Sequence, residues 1–336
     1  MILVTGATGL LGSNLLVELV KDNDAVIALY RNKEKIKAVN ILFHKIFNSH
    51  AEVLFNKIEW VDCDILDLVT LSEQIKRAKI VYHCAAKVSF QRRDFSTMMK
   101  VNGKGTANVV NACLDNKNVK LCHVSSTAAV GKMQKEGRSF VVETNKWTQN
   151  NETSGYAISK YTAEKEVWRG IEEGLDAVII NPSVMFGPGD WNESSLTIFK
   201  TLSKGLKFYT GGANAFVDVR DVVFAMIKLT NSPLTAQRYL CTGTNCSFKS
   251  LFEKISKELK IKAPYIKANY FLIEIAWRIA AVFTLFTGKA TLTKESVNSS
   301  RSIVEYDSSK LLQTLDFKFR DLEETIAYSV ANKINS

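Results

Sequence analysis

The sequence predicts an α/β fold: a doubly wound parallel sheet joined to a smaller, mostly C-terminal mixed α/β unit. Short β-branched runs alternate with helical stretches through the first half of the chain, the pattern that builds a parallel sheet with helices on both faces. A glycine-rich turn follows the first of these runs directly. After Pro182 the alternation stops, Gly187-Pro188-Gly189 marks a turn, and the rest mixes helices with short strands.

Taken in order, Ile2-Leu3-Val4 is the first strand and leads to a helix from about Leu11 to Lys21. Ala25 to Leu29 is the second strand, followed by a charged helix near Lys33 to Phe47. Ile58 to Val61 and a helix near Leu68 to Lys76 come next, then Ile80 to His83 and a helix from about Met98 to Asn116. Lys120 to Val124, a helix near Tyr156 to Glu173, and Ala177 to Ile180 complete the series. Phe216 to Thr230 reads as a strand edge and helix returning to the first unit. The expected division is therefore a dinucleotide-binding domain over 1–183 and about 214–236, and a substrate domain over about 184–213 and 237–336.

A length of 336 residues accommodates two domains at roughly 150 residues each. With 46% apolar and 23% charged residues, the composition excludes disordered, collagen-like and coiled-coil chains. The balance of 44 basic against 34 acidic residues leaves a net charge of +10, which suits nucleic acid, an anionic membrane surface or a phosphate-bearing ligand. The basic residues are dispersed, with no recognition helix and no aromatic-basic platform, which argues against nucleic acid. Cys63, Cys84, Cys113, Cys122, Cys241 and Cys246 form no Cys-x-x-Cys pair and sit mostly in apolar runs, as free thiols in a reducing compartment do. The chain starts directly with a strand at Ile2, so a cytoplasmic protein without a signal peptide is expected. The apolar stretch Tyr270 to Gly288 carries Glu274 and Arg278 at helical i,i+4 spacing; this predicts a substrate-domain helix, with membrane-surface contact as the alternative to any stable span.

Thr5-Gly6-Ala7-Thr8-Gly9-Leu10-Leu11-Gly12 places three glycines between the first strand and the first helix. Gly6 permits the tight turn, Gly9 lets the backbone approach a pyrophosphate, and Gly12 lets helix and strand pack closely. Within a βαβ series this is the dinucleotide fingerprint of a Rossmann-type sheet, with Gly6, Thr8, Gly9, Leu10, Leu11 and Gly12 as candidate contacts. The second strand ends Leu29-Tyr30-Arg31-Asn32-Lys33-Glu34-Lys35, without an acid to take a ribose 2′-hydroxyl. Arg31, assisted by Lys35 or Lys33, suits a 2′-phosphate instead, so NADP(H) is favoured and NAD(H) is the alternative.

Tyr156-Ala157-Ile158-Ser159-Lys160 puts a tyrosine and a lysine on one face at the start of a helix. A nearby ammonium, together with an oxidised nicotinamide ring, is expected to lower the tyrosine's proton affinity, making it a usable acid or base. Ser125-Ser126-Thr127 closes the fifth strand at the edge where α/β ligands bind, and a hydroxyl there can hold a substrate oxygen. His83 and His123 sit at strand positions without metal-ligand spacing, so no metal is expected.

These motifs together resemble the extended short-chain dehydrogenase/reductases, the NAD-dependent epimerase/dehydratase family, and most nearly the branch of dihydroflavonol 4-reductases and 3β-hydroxysteroid dehydrogenases. The resemblance also rests on Asp64-Ile65-Leu66-Asp67, His83-Cys84-Ala85-Ala86, Asn102 with Gly105-Thr106, Ser126 followed by Gly131, Asn181-Pro182-Ser183, and Phe216 to Val222. It implies Ser126, Tyr156 and Lys160 as the catalytic set. It also implies Asp64 and Ile65 at the adenine, Ala85 and Ala86 lining the cofactor cleft, Asn102 in the cofactor site, and Pro182 and Ser183 bordering the nicotinamide. Cys63 departs from the glycine usual in the family, and the lysines after Arg31 fall at no fixed family spacing. A homodimer is an expectation from the resemblance alone.

The expected reaction is hydride transfer to a small-molecule carbonyl, a ketone or aldehyde of hydrophobic character, with Tyr156 as proton donor. Phe271, Trp277, Phe283 and Phe286 are the expected apolar lining. The alternative is a nucleotide-sugar epimerase or dehydratase, with Lys254, Lys257, Lys260, Lys262 and Lys267 as diphosphate contacts; their amphipathic spacing reads better as a solvated helix face. A non-catalytic cofactor-binding regulator is the third reading.

Overall fold

The computed structural model describes residues 1–135, 137–150, 153–268 and 300–334. Tyr270 to Gly288, including Phe271, Trp277, Phe283 and Phe286, lies outside the described residues.

The strands in chain order are β1 (Ile2–Thr5), β2 (Val26–Tyr30), β3 (Ile58–Asp62), β4 (Ile80–His83), β5 (Lys120–Val124), β6 (Met133–Lys135), β7 (Arg138–Val141), β8 (Asp176–Pro182), β9 (Val184–Phe186), β10 (Phe208–Tyr209), β11 (Ala213–Asp218), β12 (Gln237–Cys241), β13 (Thr244–Ser247), β14 (Ile266–Lys267) and β15 (Val304–Tyr306). The main sheet has seven strands in the order β12-β8-β5-β4-β1-β2-β3, and every pairing in it is parallel. The chain winds outward from β1 to β3, then crosses back to β4 and winds the other way. The reversal between β1 and β4 opens a crevice beyond their carboxyl ends, where ligands of such sheets bind.

Both faces of the sheet are buried, which is why its strands read as continuous apolar runs. On one face Val4, Ala28, Tyr82, Cys122 and Ile180 pack against Leu15 and Leu16 of the Leu10–Asp22 helix and Val222 and Met226 of the Val219–Thr230 helix. On the other, Leu3, Ile27, Val81, Leu121 and Ile179 meet Leu71, Ile75, Val109, Val110 and Val167. A separate core of Phe186, Trp191, Phe199, Phe216, Leu251 and Ile326 holds the smaller unit together.

Two segments cross the expected division. Gln237–Cys241, expected in the substrate unit, pairs with β8 as the edge strand of the main sheet, because Tyr239, Leu240 and Cys241 are apolar enough to be buried there. Conversely, Ala213–Asp218 pairs with β9 and β13 in a small mixed sheet, while the helix that follows it packs on the main sheet. All six cysteines are free. Among the described residues, no helix is long and apolar enough to cross a membrane.

Candidate active site

The glycine turn is shaped by contacts that admit no side chain. Gly6 sits at φ +65°, and a Cβ there would lie 2.6 Å from the backbone nitrogen of Ala85, while a Cβ on Gly12 would lie 2.2 Å from the Gly6 carbonyl oxygen. Gly9 caps the Leu10–Asp22 helix without a side-chain hydrogen bond, and the first turn holds no acidic residue. The first amides of that helix therefore face an open cradle suited to an anion. Leu11 is buried in the core, so what it can offer a cofactor is its backbone amide. Leu10 and Asn14 fix the turn to the second unit: Asn14 donates to the Pro188 carbonyl at 3.1 Å, and Leu10 lies where a Gly189 Cβ would touch it. Thr8 is partly exposed at the mouth of the turn.

At the ends of β2 and β3, Arg31 reaches Asp64 at 3.7 Å, and both side chains are largely solvated. Lys35 is bound across to Glu193 at 2.5 Å, so the structure gives its ammonium a partner other than Arg31's neighbourhood. Ile65 is buried against Gly105 and receives Asn108 on its carbonyl. At the end of β4, Ala85 donates its amide to the Thr5 hydroxyl, and Ala86 is exposed beside it. Asn102 lies in a π-helical turn over Met99–Lys104. Its amide accepts from the Lys87 nitrogen at 2.7 Å and donates to the Lys87 carbonyl and the Ser159 hydroxyl, both at 2.9 Å. Asn102 thus pins the segment after β4 to the Gly155–Glu172 helix. At the end of β8, Pro182 is buried and the Ser183 hydroxyl donates to the Thr242 carbonyl.

Three hydroxyls follow β5, and their partners separate them. Ser125 donates to Glu164 at 2.5 Å, and Thr127 is hydrogen-bonded with Tyr306. Ser126 accepts from the Ala128 nitrogen and is the one of the three hydrogen-bonded with Tyr156. Tyr156 and Lys160 lie in the first turns of the Gly155–Glu172 helix, which Ser154 caps through the Ala157 nitrogen. The Lys160 ammonium donates to the Val124 carbonyl at 2.8 Å. Phe90 packs edge-on against Tyr156 with ring centroids 5.9 Å apart.

Burial sets the electrostatics of the site. Tyr156's proton affinity is raised, because burial of its hydroxyl outweighs the hydrogen bond from Ser126. The lysine's charge is itself weakened: burial pulls Lys160 down to about 8, with Glu164 and then Cys84 opposing. His83, bonded to Thr5 and Thr106, falls to about 3 through burial and the Lys160 charge. His123 is driven well down by burial, then by Lys160 and His83. Both rings are neutral spacers beside the lysine.

Sequence reasoning passed over Glu164 and the side chain of Asn181. Glu164 is buried one helical turn past Lys160 and accepts from Ser125, Asn181, Trp168 and Arg238. Its i,i+4 spacing from Lys160 was the available signal, but helical acids usually mark a solvated face.

A Rossmann sheet whose carboxyl edge gathers a glycine turn, a serine and a Tyr-x-x-x-Lys helix defines an NAD(P)-dependent oxidoreductase of the extended short-chain dehydrogenase/reductase type. The chain belongs to the NAD dependent epimerase/dehydratase family, whose model matches residues 2–240. A Synechocystis sp. protein carrying a provisional dihydroflavonol 4-reductase name is 26% identical over 97% of this chain and 92% of its own. Cinnamoyl-CoA reductase 1 of Petunia hybrida is 30% identical over 76% of each chain. Among solved structures, gox2253 superposes with a TM-score of 0.78 at 26% identity, covering 99% of this chain and 97% of that one. The Bordetella bronchiseptica enzyme WbmH, solved in complex with NAD+, gives 0.73 at 21% identity, covering 98% and 97%; that likeness shows the fold alone.

Proposed function

We propose that the protein is an NADP(H)-dependent reductase of a ketone or aldehyde on a hydrophobic small molecule. The observation that carries this reading is the exposed apolar surface beside Tyr156, where Phe95 also lies against Gly155. Phe90 lies edge-on to its ring, and Val88, Phe90 and Phe95 remain 50%, 41% and 38% exposed, although burial would stabilise each by about 1.5–3 kcal/mol. An apolar substrate covers them.

The residues fit a nicotinamide dinucleotide. The cradle at Gly9 takes the pyrophosphate, and Arg31, held only loosely by Asp64, presents its fork to a 2′-phosphate at the adenosine end. When bound, the nicotinamide supplies the hydride. Ser126 holds the carbonyl oxygen beside the Tyr156 hydroxyl, and Tyr156 donates its proton to the oxygen as negative charge develops there. A raised proton affinity suits that role, since it keeps the phenol protonated at neutral pH. Lys160 supplies positive charge beneath the site and favours the phenolate left behind.

Tyr156→Phe is expected to remove nearly all NADPH turnover with a hydrophobic aldehyde while NADPH still quenches protein fluorescence on binding; substantial residual turnover would count against the mechanism. The second reading, a nucleotide-sugar epimerase or dehydratase with NAD, draws on fold neighbours such as the Bacillus cereus UDP-glucuronic acid 4-epimerase solved with UDP-glucuronic acid and NAD. Conversion of a UDP-sugar without net cofactor change would favour it. Of the lysines considered for a diphosphate, Lys254 is paired with Glu323 and Lys262 lies over the Tyr265 ring, as solvated surface residues do.

A further inference from the structure

We propose that Glu164 is the positioning residue of this site: its buried carboxylate ties the Ser125–Ser126 turn to the helix carrying Tyr156 and Lys160, and supplies the counter-charge for the Lys160 ammonium. The proposal rests on the reading of Lys160 given above and extends it to a residue that touches neither substrate nor cofactor.

The geometry is that of a hub. Glu164 is 1% exposed. Its Oε2 accepts the Ser125 hydroxyl at 2.5 Å and the Asn181 amide at 2.8 Å. The same Asn181 amide donates to the Ser126 carbonyl at 2.9 Å, so one carboxylate oxygen holds both serines of the turn, one of them through Asn181. Its Oε1 accepts Trp168 at 3.2 Å and Arg238 at 2.9 Å. Arg238 in turn spans to the Glu143 and Asn145 carbonyls, anchoring the hub to the segment before the catalytic helix. A buried carboxylate satisfied by four donors is fixed in place, whereas an unsatisfied one would be costly.

The second half of the role is charge. Lys160 is buried among Tyr156 and Glu164 of its own helix, His83 of β4, Cys84 after it, and His123 of β5. The histidines are neutral and the thiol is protonated, because burial acts on all three. Glu164 is the one full negative charge in this set. It is also the group that opposes the burial penalty on Lys160 most strongly. Arg238 partly offsets it from the far side, so removing Arg238 should strengthen Glu164's hold on the lysine.

The test reads Lys160 directly, in the cofactor-free protein, by NMR titration of [ε-13C]lysine, with the resonance assigned by its loss in Lys160→Arg. Glu164→Gln keeps the size and removes the charge. The Lys160 midpoint is expected to fall by about one pH unit or more, and Arg238→Gln is expected to raise it. Midpoints unchanged in both variants would overturn the proposal. If Glu164→Gln does not fold, the Arg238→Gln titration decides alone: a rise supports the proposal and no change overturns it. The alkaline limb of NADPH-dependent carbonyl reduction should move with the midpoint in Glu164→Gln. A shifted midpoint with an unmoved limb would leave Glu164's role standing and refute the catalytic role of Lys160 instead.

Discussion

The glycines of the turn have separable duties, and a pair of alanine substitutions distinguishes them. A Cβ on Gly12 would sit 2.2 Å from the Gly6 carbonyl oxygen and 2.9 Å from the Ala7 Cα, all of it backbone. Ordinary contact begins near 3.4 Å, so the helix would have to move off β1 by about 1 Å, an overpacking cost of roughly 1–3 kcal/mol. With an unfolding entropy of about 2.1 cal/mol/K per residue over 336 residues, 1 kcal/mol is worth about 1.4 °C, so Gly12→Ala should lower the melting temperature by roughly 1–4 °C. Gly9 differs: its φ is −83°, and the nearest atom to an added Cβ is the Gly6 oxygen at 3.4 Å. Gly9→Ala should therefore hold its stability to within about 1 kcal/mol, with a small loss from the weaker N-cap, yet it fills the cradle. NADPH affinity in that variant should fall about tenfold or more. Circular-dichroism melting and a fluorescence titration with NADPH read the two effects separately. Equal melting temperatures in the two variants would refute the packing assignment, and undiminished affinity in Gly9→Ala would refute the pyrophosphate site.

Arg31→Asp should reduce kcat/KM with NADPH about 10–100-fold, the worth of a charge-assisted bond to phosphate, and shift preference toward NADH; a clear NADH preference in the parent, unchanged by the substitution, would sink the 2′-phosphate assignment. His83 and His123 bind protons less readily folded than unfolded, so the unfolded chain gains protons first as pH falls below about 6.5. Stability is therefore full above that pH and declines below it, by about 1.4 kcal/mol for each ring between pH 7.5 and 5.5. Urea midpoints across that range measure the decline, and His123→Phe should remove roughly half of it; an identical slope in the variant would show that His123 is not the group responsible.

The main sheet was legible because its strands are buried on both faces and need unbroken apolar runs such as Ile80-Val81-Tyr82-His83, which the observed strand matches end to end. β12 was misplaced because it follows turn signals and carries Gln237 and Arg238, whose polar ends reach the sheet edge. The β6–β7 hairpin, with Met133-Gln134-Lys135, has too little alternation to announce itself. Within the site, Tyr156 and Lys160 were singled out by their four-residue spacing together with the serine turn upstream, and the structure puts both in the first turns of one helix. The resemblance singles out Ser126 among Ser125, Ser126 and Thr127, but no local pattern shows that Glu164 and Tyr306 engage the other two. Spacing likewise predicts that Lys160 is near Tyr156, but not that the lysine is buried; the sign of the tyrosine's shift depends on solvent exclusion around its hydroxyl, which no local pattern encodes.

The strand order explains why residues so far apart in sequence act on one ligand. Along the carboxyl edge, β3, β2, β1, β4 and β5 deliver Asp64, Arg31, Gly6, Ala85 and Ser126 side by side. Neighbouring parallel strands lie about 4.8 Å apart, so the three spacings from β2 to β5 separate Arg31's end of the cleft from Ser126's by about 14 Å. Between them stand the uncapped amides after Gly9, and beneath the far end lies the Lys160 ammonium, whose charge Glu164 supports against burial. Positive charge is thus arranged at the rim, the middle and the floor of one crevice, although the +10 of the whole chain is otherwise dispersed. A mononucleotide can satisfy only one end of that arrangement. In the function proposed above, an extended dinucleotide spans it, with its pyrophosphate at the middle and its 2′-phosphate at the Arg31 rim, so the charge pattern and the sheet order answer to the same ligand.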